Sequence, residues 1–176
     1  MKSPRGHAAR VTRRIILLRH AEAADRDADH PTDASRPLTP AGRAEAERVG
    51  RWLVEEGIVP SRVVASPAAR ARETAALAAA AAGLDPRDVE EDARAYGADA
   101  ATLAALVHEH ARPGATTLLV GHNPAIGMLR WALPGARPAD EREAAFPPAS
   151  AAAFELPEGG DPLGRARPLA RRLPGR

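Results

Sequence analysis

Short aliphatic runs alternate with longer segments of mixed alanine and charged residues along most of the chain. Aliphatic runs of this length, bounded by polar residues, are typical of buried strands, whereas apolar residues at helical spacing indicate helices. Strands are predicted at 13–19, 63–65, 88–91, 116–120, 150–156 and 165–169, and helices at 40–57, 67–83, 99–110 and 124–134. This order predicts an α/β fold, a three-layer sandwich with a mostly parallel central sheet flanked by helices.

Capping residues mark the predicted helix starts. Thr39 precedes Pro40, which gives the first helix a side-chain cap and a proline at its first position. Asp99 is expected to cap the third helix, and Ser66 and Asn123, each followed by proline, are expected to cap the second and fourth. The first helix is predicted to bury one face of small and apolar residues, namely Ala41, Ala44, Val49, Trp52 and Leu53.

The chain of 176 residues is long enough for one domain with a sizeable core. Residues 1–12 are expected to form a disordered basic extension, residues 13–156 the functional domain, and residues 157–176 an edge strand and a basic tail. The polar segment 21–38 is predicted to be a loop, and a loop of that length in a compact domain is often functional.

Composition excludes several classes of protein. The chain contains no cysteine, so disulfides and thiolate metal sites are ruled out. No apolar stretch approaches a membrane span, and we expect a soluble cytoplasmic protein that does not bind a membrane. Lys2 is the only lysine, so arginine supplies nearly all the positive charge. Codon bias is one explanation for the many arginines. The alternative explanation is functional, namely an acidic or phosphorylated partner. We expect no nucleic-acid binding, because the basic residues are not interleaved with aromatic ones.

Cationic and imidazole side chains follow three of the predicted strands. Arg19 and His20 end the first strand, Arg70 lies one turn inside the second helix, and His122 precedes the fourth. The carboxyl ends of parallel strands share one edge of a sheet, where ligands bind in open α/β folds. Histidine can attack phosphorus and arginine can hold a phosphate, so this edge is expected to handle a phosphoryl group.

These segments together resemble the histidine phosphatase superfamily, which has the phosphoglycerate-mutase-like fold. Leu18-Arg19-His20-Ala21 is similar to its Arg-His-Gly motif, Ser66-Pro67-Ala68-Ala69-Arg70 to its second motif, and Val120-Gly121-His122-Asn123-Pro124 to its second histidine motif. The segment Ser35–Gly42 and the small size resemble the SixA-type phosphohistidine phosphatase branch.

The resemblance implies a role for each matching residue. His20 would form a covalent phosphohistidine, Arg19 and Arg70 would bind the phosphate, and His122 would face the same phosphate. Arg36 matches a loop arginine that joins the pocket in the SixA-type branch. The resemblance implies no metal and no cofactor.

The chain departs from the superfamily pattern at two points. Ala21 replaces the glycine, which a small side chain tolerates. No residue matches the usual glutamate acid: Glu22 is adjacent to His20, and Glu90, Glu91 and Asp92 fall in about the right region. The acid is therefore Glu22, Glu91 or none, and its absence favours a phosphoramidate, whose leaving nitrogen needs less help than an alkoxide.

The sequence thus predicts a phosphatase acting on phosphohistidine of a signalling protein. A phosphomonoesterase of the same fold, acting on a sugar phosphate or nucleotide, is the first alternative, and a non-catalytic phosphate-binding module is the second. The partner is accordingly a histidine-phosphorylated protein or a small phosphorylated molecule.

Overall fold

The structure is a computed structural model that describes residues 12–175. The predicted disordered extension, residues 1–12, therefore lies outside the described residues except for its last position. Within residues 12–175, no helix is long and apolar enough to cross a membrane.

One six-stranded sheet forms the middle layer, as predicted. Its strands are β1 (Arg13–Arg19), β2 (Arg62–Ala65), β3 (Glu90–Glu91), β4 (Thr116–Gly121), β5 (Ala151–Leu156) and β6 (Arg167–Arg172). They lie in the order β3-β2-β4-β1-β5-β6. The first four are parallel, and β5 and β6 run antiparallel to their neighbours, so the sheet is mostly parallel.

Helices cover both faces of the sheet. They are α1 (Pro40–Glu55), α2 (Ala69–Ala81), α3 (Ala100–His110), α4 (Ala125–Ala132) and the short α5 (Glu141–Ala144). Alternate residues of β1 point to opposite faces, as strand geometry requires. Ile16 and Leu18 pack with α1 and α2, whereas Ile15 and Leu17 pack with α3 and α4. Because β1 lies between two hydrophobic clusters, both of its faces are apolar.

The local signals that predicted α1 and α3 are present in the structure. The hydroxyl of Thr39 accepts a hydrogen bond from the Gly42 amide, with Pro40 following it. The carboxylate of Asp99 accepts from the Thr102 amide. These caps satisfy N–H groups that the first helical turn cannot pair internally.

The predicted buried face of α1 was wrong in part. Ala41 is exposed, and the buried positions are Gly42, Ala46, Val49, Gly50 and Leu53. Gly42 is buried against the backbone of Glu22, and Gly50 against the backbone of Ala78. A pattern of apolar side chains does not reveal such backbone contacts. One smaller difference concerns the C-terminal part, where β6 covers Arg167–Arg172 instead of 165–169.

Small residues allow α1 and α2 to approach closely. A Cβ atom on Gly50 would lie 2.3 Å from the carbonyl oxygen of Ala78 and 2.6 Å from the Cβ of Ala81. The alanine-rich sequence of α2 is therefore a packing requirement, because larger side chains would force the two helices apart.

We expect Gly50→Ala to destabilise the protein by about 1–3 kcal/mol through this overlap. The sign is opposite to that in an exposed helix, where the same change stabilises by about 1 kcal/mol. Gly159→Ala is the control, because a Cβ there meets nothing within 4 Å. Urea denaturation of both variants measures the difference, and a stabilised Gly50→Ala would contradict the close helix crossing.

Candidate active site

The carboxyl ends of β1, β2 and β4 meet at one edge of the sheet. Arg19 pairs with Gly121, and Ala65 pairs with Val120, so the residues that follow these strands lie side by side. The ring centroids of His20 and His122 are 5.1 Å apart. The structure thus brings together the two histidines that the sequence places 102 positions apart.

The backbone fixes the orientation of the His20 ring. Its Nδ1 lies 2.8 Å from the carbonyl oxygen of Ala21, a contact that requires Nδ1 to carry the proton. The Nε2 atom then carries the lone pair. The Ala21 amide in turn donates to the hydroxyl of Thr74, which donates to the carbonyl of Arg70. Thr74 therefore ties the His20 segment to α2.

Burial and surrounding cations keep both histidines uncharged. Burial, together with His122, Arg70 and Arg19, lowers the pKa of His20 to about 3. Burial, together with Arg70 and Arg19, lowers the pKa of His122 to about 4, against an opposing effect of Asp33. Neutral imidazoles at neutral pH retain a lone pair that can attack or accept.

Ser66 contacts His122 and does not cap α2. The His122 Nδ1 lies 3.4 Å from a guanidinium nitrogen of Arg70, which can only donate. The His122 Nε2 therefore carries the proton and donates to the Ser66 hydroxyl at 2.8 Å. The predicted cap at Ser66 was wrong, because α2 begins after Ala68 without a side-chain cap.

Asn123 likewise does not cap its helix. The residue before α4 is Pro124, and no side chain caps that end. The Asn123 amide instead donates to the Phe146 carbonyl at 3.0 Å. The same carbonyl accepts from Arg19 Nη1 at 3.0 Å. The side chains predicted to cap α2 and α4 are thus used in tertiary contacts around the site.

Arg70 is the buried cation of the site, with 6% of its surface exposed. Its Nη2 donates to a carboxylate oxygen of Asp33 at 2.8 Å, and its Nη1 donates to the Asp33 carbonyl. Arg36 donates to the other oxygen of the same carboxylate at 3.1 Å. Arg36 therefore lies at the pocket, in contact with Asp33.

Asp33 is the residue of this site that the sequence analysis missed. Its carboxylate also accepts from the Tyr96 hydroxyl at 3.1 Å, and the Tyr96 ring lies edge-on 5.8 Å from that of His122. Hydrogen bonds from Arg70, Arg36 and Tyr96 lower the pKa of Asp33 to about 2. The only signal in the sequence was the three-residue spacing to Arg36 within a long polar loop. The ionised carboxylate of Asp33 therefore binds Arg70 where an anionic ligand could also bind it.

The candidate acids bind elsewhere. The Glu22 carboxylate accepts from the Thr39 hydroxyl at 2.7 Å, and the Glu91 carboxylate accepts from Arg72 at 3.3 Å. Glu90 pairs with Arg62. Asp92 pairs with Arg94 and His110.

Metal ligands are not grouped in this part of the molecule. Among residues 12–175, no three histidine or acidic side chains form a cluster that could hold a metal ion. The chemistry of the pocket is that of two imidazoles, three guanidinium groups and one carboxylate.

The family model of the histidine phosphatase superfamily, branch 1, matches residues 15–100. The chain belongs to the histidine phosphatase superfamily. A protein of Picosynechococcus sp. is 40% identical over 119 residues, which cover 67% of this chain and 70% of that protein. The serine/threonine-protein phosphatase Pgam5 of Drosophila grimshawi is 44% identical over 69 residues, or 39% of this chain and 23% of Pgam5.

Solved structures support the SixA-type branch. A structure from Agrobacterium tumefaciens, provisionally assigned as phosphohistidine phosphatase SixA, has a TM-score of 0.74 at 27% identity and covers 92% of this chain and 98% of that chain. The protein histidine phosphatase SixA with tungstate has a TM-score of 0.69 at 27% identity and covers 90% and 95%. This superfamily member is a phosphatase with the phosphoglycerate-mutase-like fold.

The depressed pKa values predict that His20 and His122 remain neutral at about pH 5, where a histidine with an ordinary pKa of about 6.5 is protonated. Imidazole nitrogen NMR shifts followed from about pH 8 to 5 measure this. His20 should also show the proton on Nδ1 throughout.

The two histidines also make stability depend on pH. The unfolded chain binds protons at these histidines more readily than the folded chain, so the free energy of unfolding should fall as the pH drops below about 6.5. Titration of either ring near its ordinary pKa would contradict the buried, cation-lined pocket.

Asp33→Asn removes the anion that occupies Arg70. We expect tungstate to bind about tenfold more tightly to this variant, because the oxyanion no longer competes with a carboxylate for the guanidinium. Isothermal titration calorimetry measures the change. Asp27→Asn is the control, since Asp27 lies in the same loop and contacts His30. Weaker tungstate binding by Asp33→Asn would instead mean that Asp33 orients Arg70 for the ligand.

Proposed function

We propose that His20 is the nucleophile of this phosphatase. Its Nε2 lone pair attacks phosphorus in line with the leaving group, an N–P bond forms, and the bond from phosphorus to the leaving atom breaks. The proton stays on Nδ1, which donates it in a hydrogen bond to the Ala21 carbonyl through this step and so positions Nε2 for the attack. Water then attacks phosphorus, the N–P bond breaks, and inorganic phosphate leaves with His20 restored.

Arg19, Arg70 and Arg36 bind the phosphoryl oxygens in this proposal. The transition state places negative charge on the equatorial oxygens, and fixed guanidinium donors stabilise that charge. The Arg70–Asp33 ion pair supports the assignment, because Arg70 binds a carboxylate oxygen as it would bind a phosphoryl oxygen. The incoming phosphoryl group displaces this carboxylate. His122, 5.1 Å from His20 between ring centroids, contacts the same oxygens.

The substrate we propose is phosphohistidine on a cytoplasmic signalling protein. The observation that carries this choice is the lack, among the described residues, of a protonated carboxyl group directed at His20. Asp33 is ionised, and Glu22 and Glu91 are bound elsewhere. An imidazole leaving group takes its proton on nitrogen and needs less acid catalysis than an alkoxide. The SixA-type structural likeness supports the same class of substrate.

The alternative is a phosphomonoesterase for a small molecule or another phosphorylated side chain. Such a reaction needs an acid for the leaving oxygen, so Glu22→Gln or Glu91→Gln would then reduce turnover strongly. Both carboxylates form hydrogen bonds outside the pocket, which favours the phosphoramidate substrate. The non-catalytic module is disfavoured because all four motif residues are present and lie at one edge of the sheet.

Phosphate release from a histidine-phosphorylated phosphotransfer domain tests this function. We expect wild type to release phosphate, and His20→Ala to lose more than about a thousandfold in rate because the nucleophile is removed. His108→Ala is the matched control, because His108 is an exposed residue of α3. Glu22→Gln and Glu91→Gln should retain full activity on the phosphoprotein.

The outcomes separate the alternatives. Turnover of a sugar phosphate in place of the phosphoprotein, with loss in Glu22→Gln or Glu91→Gln, would replace phosphohistidine with a phosphomonoester. Activity that survives His20→Ala would overturn the nucleophile assignment. Acid quenching during turnover should trap labelled phosphate on wild type and none on His20→Ala.

A further inference from the structure

A groove of about 520 Å3 lies between α1 and the end of the edge strand β6. Four arginines line it, with Trp52 and Glu55 beside them: Arg48 and Arg51 come from α1, and Arg171 and Arg172 come from β6. We call these four residues the arginine groove. Neither the phosphate chemistry nor the superfamily motifs use any of them.

The charge of the arginine groove is weakly compensated. Arg48 and Arg51 each lie 3.7 Å from a glutamate of their own helix, Glu45 and Glu47. Solvent-accessible pairs of this kind contribute little to stability and are easily exchanged for another anion. The Arg171 side chain has no hydrogen-bond or ion-pair partner among residues 12–175, and its charge acts on Arg130, whose pKa it helps burial to lower. The groove therefore presents guanidinium groups that are available to a negatively charged partner.

Three hydrogen bonds connect the arginine groove to the catalytic edge. The Arg172 guanidinium donates to the Ala149 carbonyl at 3.3 Å. The Ala149 amide donates to the carbonyl oxygens of Arg19 at 3.2 Å and His20 at 3.1 Å. The strand pairing gives the same relation, since Arg172 is opposite Ala151 and Ala151 is opposite Leu18. The end of β6 in the groove is therefore connected through Ala149 to the backbone of Arg19 and His20.

We propose that the arginine groove is a docking surface for the acidic protein that carries the phosphoryl group. This inference rests on the proposed function and adds a second contact region outside the pocket. Complementary charge next to the reacting group accelerates encounter and fixes orientation. None of the residues that line the groove belongs to the phosphate site, so in this proposal the groove favours a macromolecular substrate that contacts both regions.

Other occupants fit less well. The sequence of residues 1–11 contains Lys2, Arg5 and Arg10 and no acidic residue, so it is repelled by the groove. A second copy paired edge to edge along β6 would place like-charged arginines against each other, which disfavours association. A single-stranded nucleic acid needs stacking platforms for its bases, and Trp52 is the only aromatic residue of the groove.

Arg48→Gln/Arg51→Gln/Arg171→Gln tests the proposal. Arg172 is kept because it holds the Ala149 carbonyl near the catalytic edge. The control Arg87→Gln/Arg112→Gln/Arg165→Gln removes the same charge from exposed positions outside the groove.

Each protein is assayed at low salt with a histidine-phosphorylated phosphotransfer domain of acidic surface and with phosphoimidazole. We expect the groove variant to lose about tenfold in kcat/KM on the phosphoprotein alone, with the control triple unchanged on both substrates. Added salt should reduce the wild-type rate on the phosphoprotein and erase the difference between the two proteins.

Each outcome decides the question. Equal activity of the groove variant and wild type on the phosphoprotein would overturn docking while leaving the substrate proposal intact. Parallel losses on phosphoimidazole would mean that the groove supports the pocket and not a partner. Wild-type turnover of phosphoimidazole without any turnover of the phosphoprotein would overturn both proposals. Inhibition by an oligonucleotide through these arginines, with none by the unphosphorylated domain, would replace the protein partner with a nucleic acid.

Discussion

The buried positive charge of Arg70 is the constraint around which the site is arranged. A guanidinium that is 6% exposed needs a nearby anion and hydrogen-bond acceptors, because its removal from water is costly. Asp33 provides both through its carboxylate and its backbone carbonyl. The same charge acts on His20 and His122, where it helps burial to disfavour the protonated forms. One buried cation therefore binds the loop residue Asp33 and adds to the effect of burial on the two imidazoles.

Small side chains in the scaffold determine where the residues of this cluster lie. Only 3% of the residues are aromatic, so the core has few large side chains to fill it. The helices instead pack closely against each other, as the contact of Gly50 with the Ala78 backbone shows. Parallel strands bring β1, β2 and β4 to a common edge, and Thr74 connects the first turns of α2 to the Ala21 backbone. The side chains proposed to be catalytic lie at element ends, but residues within the helices determine how those ends are spaced.

The sequence predicted the elements whose signals are local. The aliphatic run of β1 and the Thr39 and Asp99 caps required only neighbouring residues to interpret, and each is present. The juxtaposition of Arg19, His20, Arg70 and His122 followed from strand order, although their catalytic roles remain proposals. Asp33 was missed because its significance arises from Arg70 and Tyr96, which are 37 and 63 positions away. Ser66 was assigned as a cap because its bond to His122 spans 56 positions and leaves no local pattern.

Tyr96 gives the pocket a selective spectroscopic reporter. It is the only tyrosine in the chain, its hydroxyl is bonded to Asp33, and its ring lies edge-on to His122. A fluorine label introduced through fluorotyrosine would therefore produce one resonance, located between the loop carboxylate and an imidazole of the catalytic edge. That resonance would distinguish the state in which Asp33 lies on Arg70 from the proposed state in which a phosphoryl group has displaced it. The exchange between them becomes observable in the intact enzyme, without any background from the rest of the fold.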